Sequence, residues 1–381
     1  MISQRLEQMT SFIVMDVMEK AADLARQGID IVHLEVGEPD FDAPACVTEA
    51  VTKAMRDGFT HYTHSLGVRE LREAICAYYH DTYKVSLDPD QVVVTSGSSP
   101  AIFMACAALL DPGDEVILSD PHYACYPNFI HFVQGRCVRV PVHEDDGFQY
   151  RPEEIRARLT PQTKCIFVNS PANPTGTLLS DDRMAAVANL GPWVLSDEIY
   201  HGLVYEGRAR SMLEFTDRAF VINGFSKLFA MTGLRLGYII APRAFIRPLQ
   251  KIHQNFFISA NAAVQMAGIA ALRCAQPDVA RMVATYDTRR RAMVEGLRRI
   301  GFQIAVEPTG AFYVFVNARH LSGDSYALAF DILEKAHVGV TPGIDFGPHG
   351  EGFLRFSYAN SLENIQEGLA RLGRYLQQRQ A

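Results

Sequence analysis

Short apolar runs alternate with amphipathic stretches through the middle of this 381-residue sequence. Each run is apolar on both faces, so each is predicted to be a strand buried inside a sheet. The runs lie at 91–95, 115–118, 164–168, 193–196 and 220–222. The stretches at 98–110, 123–133 and 181–190 are predicted to be helices. This alternation favours an α/β fold with a large, doubly wound and mostly parallel sheet.

The two ends of the chain have a different pattern. An amphipathic helix is predicted at 15–26, ended by Gly28, and a strand at 31–36. Towards the C-terminus, helical patterns at 279–300, 325–337 and 361–378 flank strand patterns at 302–306, 311–316 and 352–358. We therefore predict a large ligand-binding domain at 46–285, and a smaller α+β domain built from residues 1–45 and 286–381.

Composition argues against several classes of function. A net charge of −7 without any block of Lys or Arg disfavours nucleic acid or an anionic membrane as the main partner. No apolar run is long enough to span a bilayer, and the first residues lack the apolar segment of a signal peptide. The seven cysteines are scattered without a C-x-x-C pair, which favours free thiols in a reducing cytoplasm over disulfides or a metal site.

Lys227 stands among small and apolar residues, with Ser226 before it and Arg235 eight positions after it. Burial among such neighbours disfavours the ammonium and frees the amine as a nucleophile for an aldehyde. The hydroxyl and the guanidinium are groups that bind a phosphate. The segment indicates a lysine that forms a Schiff base with pyridoxal phosphate. On this segment alone, a lysine that extends from the edge of the core into solvent remains an alternative.

Polar side chains follow the predicted strands, where open parallel sheets bind their ligands. Asp197 could pair with a protonated pyridine nitrogen, and Tyr200 and Asn173 could donate hydrogen bonds to an oxygen on the same ring. Tyr123 could stack on that ring. The alternatives are a helix cap for Asp197, an ordinary half-buried tyrosine for Tyr200 and a simple Asn-Pro-Thr-Gly turn around Asn173.

Two further features of the sequence favour the binding of anions. Ser98 and Ser99 open a predicted helix directly after a strand, and the backbone N–H groups of a helix N-terminus attract a phosphate. A plain helix cap would look the same. Arg355 lies inside an apolar strand, where a buried guanidinium needs a carboxylate partner. That partner is either a substrate or an acidic residue of the protein.

Taken in order, these motifs resemble the class I/II aminotransferases, the fold-type I pyridoxal-phosphate enzymes of the aspartate aminotransferase superfamily. The resemblance runs from Gly-Glu-Pro-Asp-Phe at 37–41 to Phe-Leu-Arg-Phe-Ser at 353–357. It implies a fold-type I transferase that moves an α-amino group to a 2-oxo acid by ping-pong kinetics. It also implies a homodimer with shared active sites, and amino acids and 2-oxo acids as substrates.

The resemblance also implies a role for each matching residue. Lys227 would hold the cofactor and move the proton. Asp197 would bind the ring nitrogen, and Tyr200 and Asn173 the ring oxygen. Tyr123 would stack on the ring. Ser98, Ser99, Ser226 and Arg235 would bind the phosphate, together with Tyr62 from the neighbouring subunit. Arg355, Asn173 and the backbone of Gly37 would bind the α-carboxylate of the substrate, beside Tyr123.

Two positions depart from many relatives. Gly224 stands where a hydroxyl would supply one more phosphate contact, and Ser99 stands where an aspartate-using branch has a lysine for the distal carboxylate. The surroundings formed by Phe12, Ile13 and Val14 are apolar, so a neutral or hydrophobic donor is slightly favoured. The alternatives are an aspartate aminotransferase, or a carbon–sulfur β-lyase or ring-forming synthase on the same fold.

Two interpretations outside this chemistry have less support. A cofactor-binding regulatory module fused to a DNA-binding domain would show a helix-turn-helix pattern before the fold, and none is present in this sequence. A nucleotide-binding enzyme or dehydrogenase would show a P-loop or a G-x-G-x-x-G turn, and the segment at 95–100 matches neither.

Overall fold

A central seven-stranded sheet organises the protein, in a computed structural model that describes residues 2–7 and 9–380. In chain order the strands are β1 (Val32–His33), β2 (Val92–Thr95), β3 (Glu115–Asp120), β4 (Arg136–Pro141), β5 (Thr163–Asn169), β6 (Trp193–Asp197), β7 (Ala219–Gly224), β8 (Gly237–Ile240), β9 (Tyr313–Asn317), β10 (Val338–Gly339), β11 (Thr341–Pro342) and β12 (Phe353–Ser357). The central sheet has the order β2-β8-β7-β6-β5-β3-β4.

The predicted doubly wound, mostly parallel sheet is confirmed. Adjacent strands run parallel from β7 to β4, whereas β8 runs antiparallel to both β2 and β7. Successive side chains of β5 show why its sequence is uniformly apolar: Ile166 packs in the core on one face of the sheet and Phe167 in the core on the other. Both faces of the sheet are therefore covered.

Helices cover the sheets. In chain order they are α1 (Gln4–Glu7), α2 (Ile13–Arg26), α3 (Ala45–Arg56), α4 (Arg69–Tyr83), α5 (Ser98–Leu109), α6 (Tyr126–Phe132), α7 (Pro152–Arg156), α8 (Asp181–Ala188), α9 (Arg243–Phe256), α10 (Ala262–Cys274), α11 (Gln276–Arg299), α12 (Ser325–Ala336) and α13 (Leu362–Gln380). The 24-residue α11 leads from the central region to the C-terminal elements, where it packs against α13.

The terminal segments build two smaller sheets. The antiparallel order β11-β12-β9 forms the first, and β1 pairs in parallel with β10 to form the second. Strands from both ends of the chain therefore pair with each other. Strand β12 places Arg355 opposite Phe315 of β9, facing the carboxyl edge of the central sheet.

Three local predictions are wrong in extent. The segment 302–306 is not a strand; only Gln303 forms an isolated bridge, to Asn317. The helix predicted from residue 123 begins at Tyr126, and the strand predicted at 31–36 is limited to Val32–His33. The two strand errors have the same cause: an apolar run shows that a segment is buried, but a strand also needs a neighbour that pairs with it.

Within residues 2–7 and 9–380, no helix combines the length and the apolar character needed to cross a membrane. The seven cysteines are all free thiols.

Candidate active site

Lys227 lies in the loop after β7, at the carboxyl edge of the central sheet. Its Nζ donates a hydrogen bond to the carbonyl oxygen of Gly37, 2.6 Å away. Burial of the amine lowers the pKa of Lys227 to about 8, because the ammonium loses solvation; Glu38 opposes this shift, and Arg355 and Arg235 add to it. The amine is therefore much closer to losing its proton at neutral pH than an ordinary lysine.

Asp197 ends β6 and is buried beside this lysine. One carboxylate oxygen accepts a hydrogen bond from the Tyr126 hydroxyl at 2.8 Å, and the other accepts from the backbone N–H of Ile199 at 3.1 Å. Burial raises the pKa of Asp197 to about 6, while these two hydrogen bonds act in the opposite direction. A fixed carboxylate that is ionised at neutral pH can hold a protonated ring nitrogen.

Asn169 joins the ends of two neighbouring strands. Its side-chain N–H group donates to the backbone carbonyl of Asp197 at 3.0 Å, and its side-chain oxygen accepts from the backbone N–H of Asn173 at 2.8 Å. Close by, the hydroxyls of Tyr200 and Tyr313 lie 2.9 Å apart. These bonds fix the two residues that are predicted to bind the ring oxygen.

Arg355 is only 2% exposed, yet it forms no ion pair with any carboxylate of the described chain. Its Nη1 donates to Asn173 at 2.9 Å; its Nη2 donates to the backbone carbonyl of Glu35 at 2.6 Å and to the Thr341 hydroxyl at 3.1 Å. The guanidinium also lies 4.3 Å from the ring centre of Tyr313. A buried cation with neutral partners is suited to an anionic substrate group.

The N-terminus of α5 forms a cradle with Arg235. Gly97 has a φ of +97°, and a Cβ on it would lie 2.5 Å from Nη2 of Arg235, so this approach requires a glycine. Ser98 and Ser99 begin α5, and both line the same cavity as Ser226. The cradle offers hydroxyls, helix N–H groups and a guanidinium beside Lys227, which fits pyridoxal phosphate.

One cavity of about 420 Å³ brings these predicted residues together. Its lining includes Gly37, Ser98, Ser99, Tyr123, Asn173, Asp197, Tyr200, Ser226, Lys227, Arg235 and Arg355. Its remaining wall is largely apolar and includes Phe12, Val14, Met15, Met18 and Ile102. The volume is that of a pocket for a small molecule.

The two predicted tyrosines Tyr123 and Tyr62 differ in their position relative to the cavity. The Tyr123 ring contacts Phe12 and Tyr126 edge-on, with ring centres 6.0 Å and 5.2 Å away. It lines the cavity, where it can meet an aromatic ring. Tyr62 is 80% exposed and lies outside the lining of this cavity. Its predicted contact with a phosphate needs a second subunit.

Sequence reasoning missed several residues of the site. Tyr126 follows Tyr123 by three positions, and this spacing in the helix predicted at 123–133 is the available signal. Glu38 lines the cavity and accepts a hydrogen bond from the Thr232 hydroxyl. Tyr313 comes from β9, far away in sequence, and nothing local in the sequence indicates that it meets Tyr200.

Comparison with known proteins gives consistent results. The family described as "Aminotransferase class I and II" matches residues 29–372 of the chain. The chain is 40% identical over 380 residues to the (5-formylfuran-3-yl)methyl phosphate transaminase of Methanocaldococcus jannaschii, covering 99% of this chain and 100% of the relative. It is 37% identical over 383 residues to the aspartate/prephenate aminotransferase of Thermus thermophilus, covering 98% of each.

Solved structures agree in fold. A Methanococcus jannaschii protein, described as similar in its active site to kynurenine aminotransferases, superimposes with a TM-score of 0.93 at 40% identity, covering 99% of this chain and all of that one. The Thermus thermophilus aspartate aminotransferase with maleate gives a TM-score of 0.94 at 37% identity, covering 98% of this chain and 99% of that one.

Proposed function

The chain belongs to the class I and II aminotransferases, and we propose that its amino donor carries a neutral or hydrophobic side chain. The protein is a fold-type I transferase that uses pyridoxal phosphate and moves an amino group from an amino acid to a 2-oxo acid. The observation that carries the donor proposal is the wall of the cavity. Once a phosphate and an α-carboxylate have their cations, the rest of that wall is largely apolar.

Pyridoxal phosphate, when bound, supplies an electron sink that makes the α-carbon proton of an amino acid acidic. We assign the transfer of this proton to Lys227, because its lowered pKa leaves the amine able to accept a proton near neutral pH. Asp197 would hold the ring nitrogen in its protonated form. Tyr200 and Asn173 would hold the ring oxygen, and Tyr123 would cover the ring face.

Anion binding is divided between two cations. We assign the phosphate to the cradle of Arg235 with Ser98, Ser99 and Ser226. We assign the substrate α-carboxylate to Arg355, with Asn173 and the backbone of Gly37 beside it. The buried position of Arg355 and its neutral partners support this assignment, since a substrate carboxylate would supply the missing negative charge.

The donor side chain then meets Phe12, Val14, Met15 and Ile102. A second carboxylate on the donor would need a second cation, because an unpaired buried charge costs several kcal/mol. Ser99 cannot supply one. A neutral donor satisfies this surface better. Pyruvate satisfies it as the acceptor for the same reason, whereas 2-oxoglutarate as the acceptor would need a cation that enters from outside the cavity.

Two other activities remain in competition. Aspartate is the main alternative donor, since several relatives are named aspartate aminotransferases and an arginine from outside the cavity could enter it. A carbon–sulfur β-lyase would use the same cofactor contacts, and it would release pyruvate and ammonia without a second substrate.

The deciding measurement is kcat/KM for aspartate, glutamate, alanine, methionine and the aromatic amino acids, with each acceptor in turn. We expect a neutral donor to exceed aspartate. If aspartate exceeds every neutral donor by about tenfold, which is about 1.4 kcal/mol of transition-state binding, the donor proposal is wrong. Ammonia release from cysteine-like donors without an acceptor would favour the lyase.

We also propose a cytoplasmic homodimer in which Tyr62 of one subunit reaches the phosphate of the other. The exposed ring of Tyr62 supports this, as does the exposure of Phe256 and Ile258 on the same chain. The free cysteines support a reducing compartment. The division into 46–285, and 1–45 with 286–381, is supported by the separate central and terminal sheets.

A further inference from the structure

Helix α2 begins without a cap from its own segment. Phe12 occupies the capping position, and in the described chain it makes no side-chain hydrogen bond to the helix. The first N–H groups of a helix need partners from elsewhere. Here the backbone N–H groups of Ile13 and Val14 donate to the two carboxylate oxygens of Asp345, at 3.0 Å and 3.3 Å. A residue more than 300 positions away therefore caps α2.

Asp345 is well placed to fix this helix. It lies in the short 3-10 turn Gly343–Phe346, directly after β11, and is only 8% exposed. A buried carboxylate that accepts two backbone N–H bonds at a helix N-terminus is favoured by the helix dipole. The next residue, Phe346, lies under the guanidinium of Arg355, with 5.0 Å from Cζ to the ring centre. The capping turn thus also contacts the substrate-binding arginine.

The segment that Asp345 holds forms the apolar wall of the active-site cavity. Phe12, Val14, Met15 and Met18 all line that cavity, and Phe12 meets the ring of Tyr123 edge-on. These side chains come from the start of α2, within two turns of the capped N–H groups. A shift of the first turn would therefore move the surface that faces the donor side chain.

The chain before α2 has a second attachment, to Asn128 of α6. The backbone N–H of Thr10 donates to the side-chain oxygen of Asn128 at 3.1 Å, and the side-chain N–H of Asn128 donates to the carbonyl of Thr10 at 3.2 Å. These contacts are exposed, whereas the bond from Val14 to Asp345 is buried and the bond from Ile13 is part-buried. Asp345 therefore provides the more protected of these two polar attachments.

We propose that Asp345 is a positioning residue for donor selection, which holds the first turn of α2 so that Phe12, Val14 and Met15 contact the donor side chain. This inference rests on the proposed function, since it assumes that the apolar wall receives the donor. A long hydrophobic donor reaches this wall, whereas the methyl group of alanine is too short. Loss of the cap should therefore affect long donors selectively, and it should act on KM more than on kcat.

The test uses Asp345→Asn in the holoenzyme. The amide keeps the size of the side chain, but it places an NH₂ group against one of the two N–H donors. We expect KM for phenylalanine and methionine to rise about tenfold, the effect of losing one charge-assisted cap. We expect the KM for alanine to change less than about twofold, and kcat to change little.

Asp16→Asn provides a matched control. Asp16 is a carboxylate on the first turn of the same helix, but its oxygens accept from the Ser11 hydroxyl at 3.1 Å and it does not line the cavity. Hydrogen exchange of residues 13–18, measured by mass spectrometry, gives a readout that does not use substrate. Exchange should become faster in Asp345→Asn and stay near the wild-type rate in Asp16→Asn.

The outcomes separate this inference from the proposed function. If exchange becomes faster but KM rises equally for all donors, or for none of them, Asp345 only stabilises the helix and the inference is overturned. If the wild-type enzyme prefers aspartate, but Asp345→Asn still raises KM selectively for long hydrophobic donors, only the donor proposal fails. Should Asp345→Asn not fold, Phe12→Ala tests the same wall: unchanged KM values for long donors in that variant would overturn the inference.

Discussion

At the scale of single residues, the reactivity of the site depends on its few charged side chains and on their partners. Lys227, Arg235 and Arg355 are its cations, and Asp197 and Glu38 are its main anions. Burial raises the cost of adding a proton to Lys227, and Arg355 and Arg235 raise it further. The consequence is an amine that can react near neutral pH, which the sequence around Lys227 suggested.

The pH dependence of cofactor capture tests this consequence. With a pKa of about 8, roughly a tenth of the Lys227 amine is neutral at pH 7 and roughly nine-tenths at pH 9. The rate at which the apoenzyme binds pyridoxal phosphate covalently should therefore rise nearly tenfold over this range and then level off. Stopped-flow absorbance measures it. A rate that keeps rising beyond pH 10 would indicate an ordinary lysine, and Lys227→Ala should show no covalent capture.

Asp197 should set the electronic state of the cofactor ring. Asp197→Ala removes the buried carboxylate, and we expect a loss of about 10²-fold or more in kcat. Tyr126→Phe removes only one hydrogen bond to that carboxylate and should have a smaller effect. Steady-state kinetics at equal cofactor content distinguish the two. A near-normal rate in Asp197→Ala, with full cofactor content, would refute this role.

At the scale of elements, the carboxyl edge of the central sheet gathers the site because parallel strands end together there. Asn169 and Asp197 lie at the ends of β5 and β6, and the cradle proposed for the phosphate lies at the turn between β2 and α5. Strand β12 of a smaller sheet delivers Arg355 from across the cavity. Within the cradle, Gly97 allows the close approach of Arg235.

Gly97→Ala should weaken cofactor binding beyond its effect on stability. The new Cβ would lie against the Arg235 guanidinium, and the backbone has a φ of +97° that disfavours any side chain. Gly113→Ala is the matched control: its φ is +90°, but no atom of the described residues lies within 4 Å of the new Cβ. Both variants should lower the melting temperature similarly, and only Gly97→Ala should raise the Kd for pyridoxal phosphate, by about tenfold. Equal Kd values would show that the approach of Arg235 is unimportant.

At the scale of the whole molecule, the proposed homodimer would complete each active site with a residue of the other subunit. Tyr62 is 80% exposed and lies outside the lining of the cavity in its own subunit. We expect that Lys227→Ala mixed with a nearly inactive Tyr62 variant will regain activity, because one of the two sites in a hybrid dimer contains both native residues. Activity of the mixture after unfolding and refolding together measures this. An active monomer in sedimentation would contradict the proposal.

The sequence alone indicates the type of fold and predicts many of the residues that line the cavity. The alternation of buried strands and helices depends only on local patterns, and β2, β3, β5, β6 and β7 agree with it within a few residues, whereas β4 and β8 have no counterpart among the predicted strands. Apart from Arg355 within β12, the motifs that resemble the family lie at strand ends and turns, where the position of a residue along the chain also indicates its place at the sheet edge. Lys227, Asp197, Asn173 and Arg355 are predicted from the sequence alone, and all four line one cavity of the structure.

The contacts between the site residues and residues distant in sequence depend on the tertiary structure. Tyr313 reaches Tyr200, and Asp345 caps α2, across 113 and more than 300 positions of sequence. No local pattern encodes such contacts, because they depend on the packing of the terminal sheets against the central one. The same reason explains why 302–306 is not a strand. The apolar pattern of a segment predicts that it is buried, whereas its pairing depends on which strand the rest of the fold places beside it.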